Sequence, residues 1–230
     1  MRSWPIVAKT VVIIGGGQKS GRMIADRFRS NGDTVRVLSH RVYPDSTTAD
    51  FTSTADVLAK FQELTQDLAT IDVFFYNTNH HYGPTGEPDF KKNAEWRSPR
   101  QTQDRYKAIE EAWHNNAHIG MVLPNLLTLA ALGKMTSSSV GVYITTYISY
   151  AELNLAQPYN HLLSYKGVKA VQNHMMLAFA AHNDVGATFL SVAPHYPYED
   201  PALLEAAVDR VYQAVQSAGP SDNGKFIQCF

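Results

Sequence analysis

The run Thr10-Val-Val-Ile-Ile14 passes directly into Gly15-Gly-Gly17, and a helical pattern follows at once. An unbroken aliphatic, β-branched run suits a strand covered on both faces, as in a parallel sheet. The motif then repeats along the chain. Met23, Ile24 and Phe28 recur at helical spacing as far as Asn31-Gly32, where the helix should end. A second strand is expected at Thr34–Ser39, and Val57, Leu58, Phe61, Leu64 and Leu68 trace an amphipathic helix. Ile71–Tyr76 reads as a third long strand, Tyr106–Leu132 as one long helix, and Val140–Thr145 as a strand. A helix carrying Tyr165 and Lys169 follows, then a strand at Ala187–Ala193, a helix near Ala202–Gln216 and a last strand at Lys225–Cys229. Strict alternation of this kind predicts an α/β fold with a doubly wound parallel sheet and right-handed crossovers. No linker or internal repeat divides residues 1–230, so one domain is expected.

Composition narrows the function classes. With 44% apolar and 18% charged residues, the chain fits an ordinary globular protein. Its net charge of −1 provides no field to attract nucleic acid or an anionic membrane. Cys229 is the single cysteine, which excludes an internal disulfide. Residues 1–17 lack a signal-peptide pattern, and Val11–Ile14 is far too short to span a bilayer, so a cytoplasmic protein is expected.

In a doubly wound sheet, ligands bind beyond the C-terminal strand ends. Those ends carry Gly15–Gly21, His40-Arg41, Asn77-Thr78-Asn79, Thr145-Thr146 and Pro194-His195, a set rich in backbone donors and hydroxyls. Tyr165 and Lys169 stand four residues apart on a helix and therefore share a face. A phenol with an ordinary pKa of about 10 is a poor acid or base at neutral pH. An adjacent ammonium favours the phenolate and creates a proton donor and acceptor suited to carbonyl/alcohol chemistry.

The glycine loop after the first strand, together with Tyr-x-x-x-Lys late in the chain, resembles the short-chain dehydrogenase/reductase family. The resemblance runs from Thr10 to Gln228. It implies a Rossmann-type fold, a nicotinamide cofactor, a homodimer or homotetramer, and a catalytic Tyr and Lys supported by a hydroxyl and an Asn. The family's Gly-x-x-x-Gly-x-Gly maps onto Gly15, Lys19 and Gly21, with Gln18 and Ser20 between them. Lys19 replaces the middle glycine and offers a direct phosphate contact or crowds the cofactor, while Gly16 and Gly17 add loop freedom. Where an acidic residue would bind the adenosine ribose, the chain has Ser39-His40-Arg41, with no carboxylate before Asp45. Arginine suits a 2′-phosphate, so NADP(H) is favoured over NAD(H).

Asp50-Phe51 stands where the family's Asp-Val pair contacts adenine. Asn77 and Thr78 lie in the place of the Asn-Asn-Ala-Gly motif, with Asn79 where its glycine would be. Pro194 matches the family's proline after the sixth strand, and His195 replaces the following glycine. The helical asparagine fits Asn116, with Asn115 adjacent; the hydroxyl partner fits Thr146, with Ser149 as the alternative. The resemblance gives Tyr165 the proton, Lys169 the ribose, and Thr146 or Ser149 the substrate oxygen. Asn116 would hold a water linking Lys169 to solvent.

Other signals carry less. His114 and His118 have zinc-compatible spacing, but no third ligand is evident, so no metal is expected. Residues 83–105 form a long polar stretch with three prolines, either a flap or a surface excursion. Only seven residues separate Pro194 from Ala202, where the family usually places a helical substrate lid. The expected function is an NADP(H)-dependent oxidoreductase acting on a small carbonyl or alcohol. The departures at Lys19, Asn79 and His195 motivate the alternative of a cofactor-binding sensor or scaffold.

Overall fold

The computed structural model describes residues 8–17, 19–78, 110, 113–146, 163–194 and 200–229. Seven strands form one parallel sheet: β1 (Thr10–Ile14), β2 (Thr34–Ser39), β3 (Thr47–Thr48), β4 (Val73–Tyr76), β5 (Val140–Ile144), β6 (Thr188–Pro194) and β7 (Phe226–Cys229). Their order is β3-β2-β1-β4-β5-β6-β7, so the winding reverses between β1 and β4. Among the described residues the α-helices are α1 (Lys19–Ser30), α2 (Thr54–Thr65), α3 (Leu123–Leu132), α4 (Leu163–His182) and α5 (Pro201–Gln216).

Side-chain alternation along the strands explains the two-layered core. Val12 and Ile14 face a cluster with Phe61, Phe74, Leu123, Leu127 and Phe189. Val11 and Ile13 face the opposite one, with Phe28, Phe75, Val142, Val208 and Tyr212. Each such side chain contributes about 1.5–3 kcal/mol on burial, which is why these strands have no polar face. Local signals fix the helix starts. Ser53 Oγ accepts from the Asp56 N–H at 3.3 Å before α2. Asp200 Oδ1 accepts from Ala202 and Leu203 at 3.0 and 3.2 Å, with Pro201 in the first turn of α5.

Two features differ from the sequence reading. The two-residue β3 pairs Leu38 with Thr47, although no apolar period announces it. The expected continuous helix 106–132 is interrupted by a π turn at His118–Val122; residues 106–109, 111 and 112 lie outside the described set. The cause is local. The Leu123 N–H reaches back five residues to His118 O. In the same pattern Ile119 O would await the N–H of residue 124, but that residue is proline and has none. The buried Tyr76 hydroxyl donates to Ile119 O instead.

Candidate active site

The glycine loop sits at the point where the winding reverses. Gly15 has φ +84° and its N–H donates to Leu38 O at 2.8 Å, closing β1 onto β2. A Cβ at Gly21 would lie 2.3 Å from Gly15 O and 2.5 Å from Asn77 Nδ2, so only glycine allows α1 to start this close to the strand ends. Asn77, half-buried just past β4, donates from Nδ2 to Gly15 O at 3.4 Å. The twelve-residue α1 begins immediately after the loop and has no acidic side chain in its first turn. The N-terminus of a helix suits a diphosphate, and no acidic side chain in that turn repels one. The loop thus fits a dinucleotide. Gln18 and the Lys19 side chain lie outside the described residues, whereas Ser20 is buried.

Beyond β2, Ser39 Oγ accepts from the Arg41 N–H at 3.3 Å, and the Gly17 backbone runs against the same hydroxyl. Arg41 is exposed, and its carbonyl accepts from Thr48 Oγ1 at 3.4 Å. His40 meets the buried Phe51 edge-on, with ring centroids 6.1 Å apart. Asp50 Oδ1 accepts from the N–H and the hydroxyl of Thr52, and these bonds hold its carboxyl below the usual range. A shallow cleft between Gly16-Gly17 and Tyr43–Ser46 contains Arg22 and Arg29. Both pair with the single carboxylate of Asp26, at 3.5 and 2.9 Å, which offsets only part of their combined charge.

The second cluster lies at the ends of β4 and β5. Tyr165 and Lys169 are 7% and 1% exposed, and Lys169 Nζ stands 5.9 Å from the Tyr165 ring centroid. Lys169 Nζ donates to Ile144 O at 2.7 Å and Gln172 Oε1 at 2.8 Å, with a longer contact to Thr78 O at 3.5 Å. Burial alone pushes the lysine pKa from 10.5 down to about 7. Two donor hydrogens are thus firmly used, and the third, at the long contact, remains suited to a ribose hydroxyl. Thr146 is half-buried, two residues beyond the Ile144 carbonyl that holds Lys169. Asn116 is 3% exposed, two residues ahead of the π turn. Pro194, paired with Cys229 on β7, closes β6, the strand next to the β5 whose Ile144 carbonyl holds Lys169.

The geometry therefore joins Tyr165, Lys169 and Thr78 in one cluster, and Gly15, Gly21 and Asn77 in another. Asn79, His80, His81, residues 83–105, Ser149 and His195 lie outside the described residues, as does the segment between Pro194 and Asp200. Among the described residues no group of His, Cys, Asp or Glu is placed to hold a metal, and no helix is long and apolar enough to cross a membrane. Sequence reasoning missed Gln172 and Ser39. The spacing Tyr165, Lys169, Gln172 marks a single helical face and was the available signal for the first.

No family model and no curated protein matches the sequence. Its likeness to known proteins is one of shape. A carbonyl reductase from Pseudomonas aeruginosa, solved in complex with NADP, superposes with a TM-score of 0.74 at 16% identity, covering 96% of each chain. The fold is that of the short-chain dehydrogenases/reductases. A short-chain dehydrogenase from Burkholderia cenocepacia, also in complex with NADP, matches with a TM-score of 0.73 at 14% identity. That comparison covers 96% of this chain and 95% of the other. In the short-chain dehydrogenase/reductase fold described here, the glycine loop and the Tyr165/Lys169 cluster both lie at the C-terminal edge of the sheet.

Proposed function

We propose that the protein is an NADP(H)-dependent oxidoreductase that interconverts a small carbonyl compound and its alcohol. The observation that supports this most is Lys169, a buried ammonium with no carboxylate partner among the described residues, held 5.9 Å from the Tyr165 ring centroid. An unmatched buried charge is costly and marks functional sites more often than structural ones. The nicotinamide, when bound, supplies or accepts the hydride. In the reducing direction Tyr165 gives its phenolic proton to the substrate oxygen as the carbonyl carbon is reduced. Lys169 favours the resulting phenolate through its charge and offers its third N–H to the ribose. Thr146, or Ser149, orients the substrate oxygen, and Asn116 holds a water connecting Lys169 to solvent. The glycine loop and α1 hold the diphosphate, assisted by Gln18, Lys19 and Ser20. His40 and Arg41 receive the 2′-phosphate, Asp50 and Phe51 border the adenine, and Asn77, Thr78 and Pro194 line the remaining path.

Titrating wild-type protein with NADPH and screening aldehydes and ketones for its oxidation tests the reading. Tyr165→Phe should keep NADPH binding and lose turnover at least a hundredfold. Full turnover in that variant would overturn the mechanism. A second reading, a cofactor-binding sensor without turnover, is favoured by the protein acceptors already engaging Lys169. Binding of NADPH without oxidation on the whole panel would select it.

A further inference from the structure

We infer that Gln172 is a positioning residue for Lys169, its side-chain carbonyl fixing the direction of the ammonium and the pH range over which that nitrogen keeps its charge. The inference rests on the proposed role of Lys169 and deepens it. Gln172 lies one helical turn beyond Lys169 on α4 and is 0% exposed. Its Oε1 accepts from Lys169 Nζ at 2.8 Å, in a cradle completed by Ile144 O at 2.7 Å and Thr78 O at 3.5 Å. All three acceptors are neutral, and only Gln172 is a side chain that substitution can remove. The two carbonyls come from the ends of β5 and β4, so Gln172 ties the lysine from the helix side while the sheet holds it from the other.

The amide's other end points the same way. Gln172 Nε2 is buried without a hydrogen-bond partner. It stands beside the Cα of Gly120 in the π turn, where a Cβ would come within 3.5 Å of it. A buried amide with an unsatisfied N–H₂ costs about 1–3 kcal/mol. A leucine or methionine would fill this helix position without that cost, so packing does not call for a glutamine. A lysine that must keep its charge does. Among the described residues, the titratable groups on the surrounding elements are Tyr165, Lys166, His174 and His182 on α4, Tyr76 on β4, Tyr143 on β5 and His118 on the π turn. Burial raises the pKa of Tyr76 and Tyr143, which therefore stay neutral. Burial lowers both Lys169 and Lys166. Among the described residues no carboxylate offsets this, which leaves the neutral acceptors as the support for the charge.

The test reads Lys169 directly. Protein labelled with ¹³C at lysine Cε is titrated by NMR, and Lys169→Arg identifies the resonance by its disappearance. Gln172→Met, close in length and apolar, should lower the Lys169 midpoint by about one to two pH units, the equivalent of one hydrogen bond to a charged group. Gln172→Glu, which puts a carboxylate at the same distance, should raise it by at least one. Turnover with NADPH should follow the same shifts in its pH profile. An unchanged midpoint in folded Gln172→Met would overturn the inference, whatever Gln172→Glu shows, because any carboxylate at that distance raises a lysine. If Gln172→Met does not fold, Gln172→Leu takes its place, since a merely space-filling glutamine predicts no downward shift when its carbonyl is removed. The NMR midpoint does not depend on any substrate, so a wild-type protein that fails to oxidise NADPH would remove the oxidoreductase reading while leaving this assignment tested.

Discussion

Replacing Lys169 by methionine removes a charge that the fold holds in an apolar setting. The side chain is 1% exposed, and burial takes its pKa from 10.5 to about 7. At about 1.4 kcal/mol per pH unit, that gap is on the order of 5 kcal/mol against the charged form in the folded chain. Below pH 7 the folded and unfolded chains both carry the proton, so the full cost is present. Between about 7 and 10.5 the unfolded chain still binds the proton and the folded chain does not, so stability rises with pH. Lys169→Met lacks this dependence. It leaves Ile144 O and Gln172 Oε1 without a donor, at about 1–3 kcal/mol each, but that loss does not vary with pH. The decisive quantity is therefore the difference in unfolding free energy between wild type and variant, from urea curves at intervals between about pH 6 and pH 10. It should move by several kcal/mol in favour of the wild type as the pH rises. A flat difference would show that the lysine titrates normally, and the argument from burial would fail.

Arg41→Ala should weaken NADPH about ten- to hundredfold and leave NADH unchanged by calorimetry; equal losses for both would remove Arg41 from the 2′-phosphate site. Gly21→Ala would bring a Cβ to 2.3 Å from Gly15 O, so the urea midpoint should drop by an amount equivalent to at least about 1–3 kcal/mol. Gly219→Ala, with nothing within 4 Å of the new carbon, should be close to neutral. Val122, Leu129 and Leu177 are 45%, 55% and 45% exposed, and a homodimer or homotetramer would cover them. Light scattering at micromolar concentration should give a multiple of the chain mass, and Leu129→Glu should reduce it; a monomeric wild type would refute the assembly.

The sheet was largely legible because its strands announce themselves. Val11–Ile14, Val73–Tyr76 and Val140–Ile144 are buried throughout, and burial on both faces demands continuous apolar runs. Thr47-Thr48 was not legible, since two half-buried threonines at an edge need no pattern. The π turn escaped because Ile119–Leu132 is apolar at most positions, so a one-residue shift of phase leaves no gap in the pattern, and its trigger, Pro124, also reads as an ordinary early-helix proline. Tyr165 and Lys169 were visible as a spaced pair. The acceptors that set the lysine's state were not, because Ile144 O and Thr78 O are main-chain atoms that any residue supplies. Gln172 was visible only as a polar residue on a helix, and its complete burial is a property of the packed sheet.

The π turn also acts as a phase shifter. An α-helix advances about 100° per residue, so the surplus residue at His118–Val122 rotates everything before it relative to α3. The rotated stretch carries Asn116, 3% exposed, and Trp113, whose ring lies so close to Gly167 that a Cβ there would come within 2.8 Å of it. Gly167 sits midway between Tyr165 and Lys169. Deleting one residue from the turn would leave α3 seated on the sheet but swing the Trp113 and Asn116 side chains through roughly a quarter of a circle. A single backbone irregularity thus sets the angular alignment between the helix that bears the asparagine and the helix that bears the tyrosine and lysine.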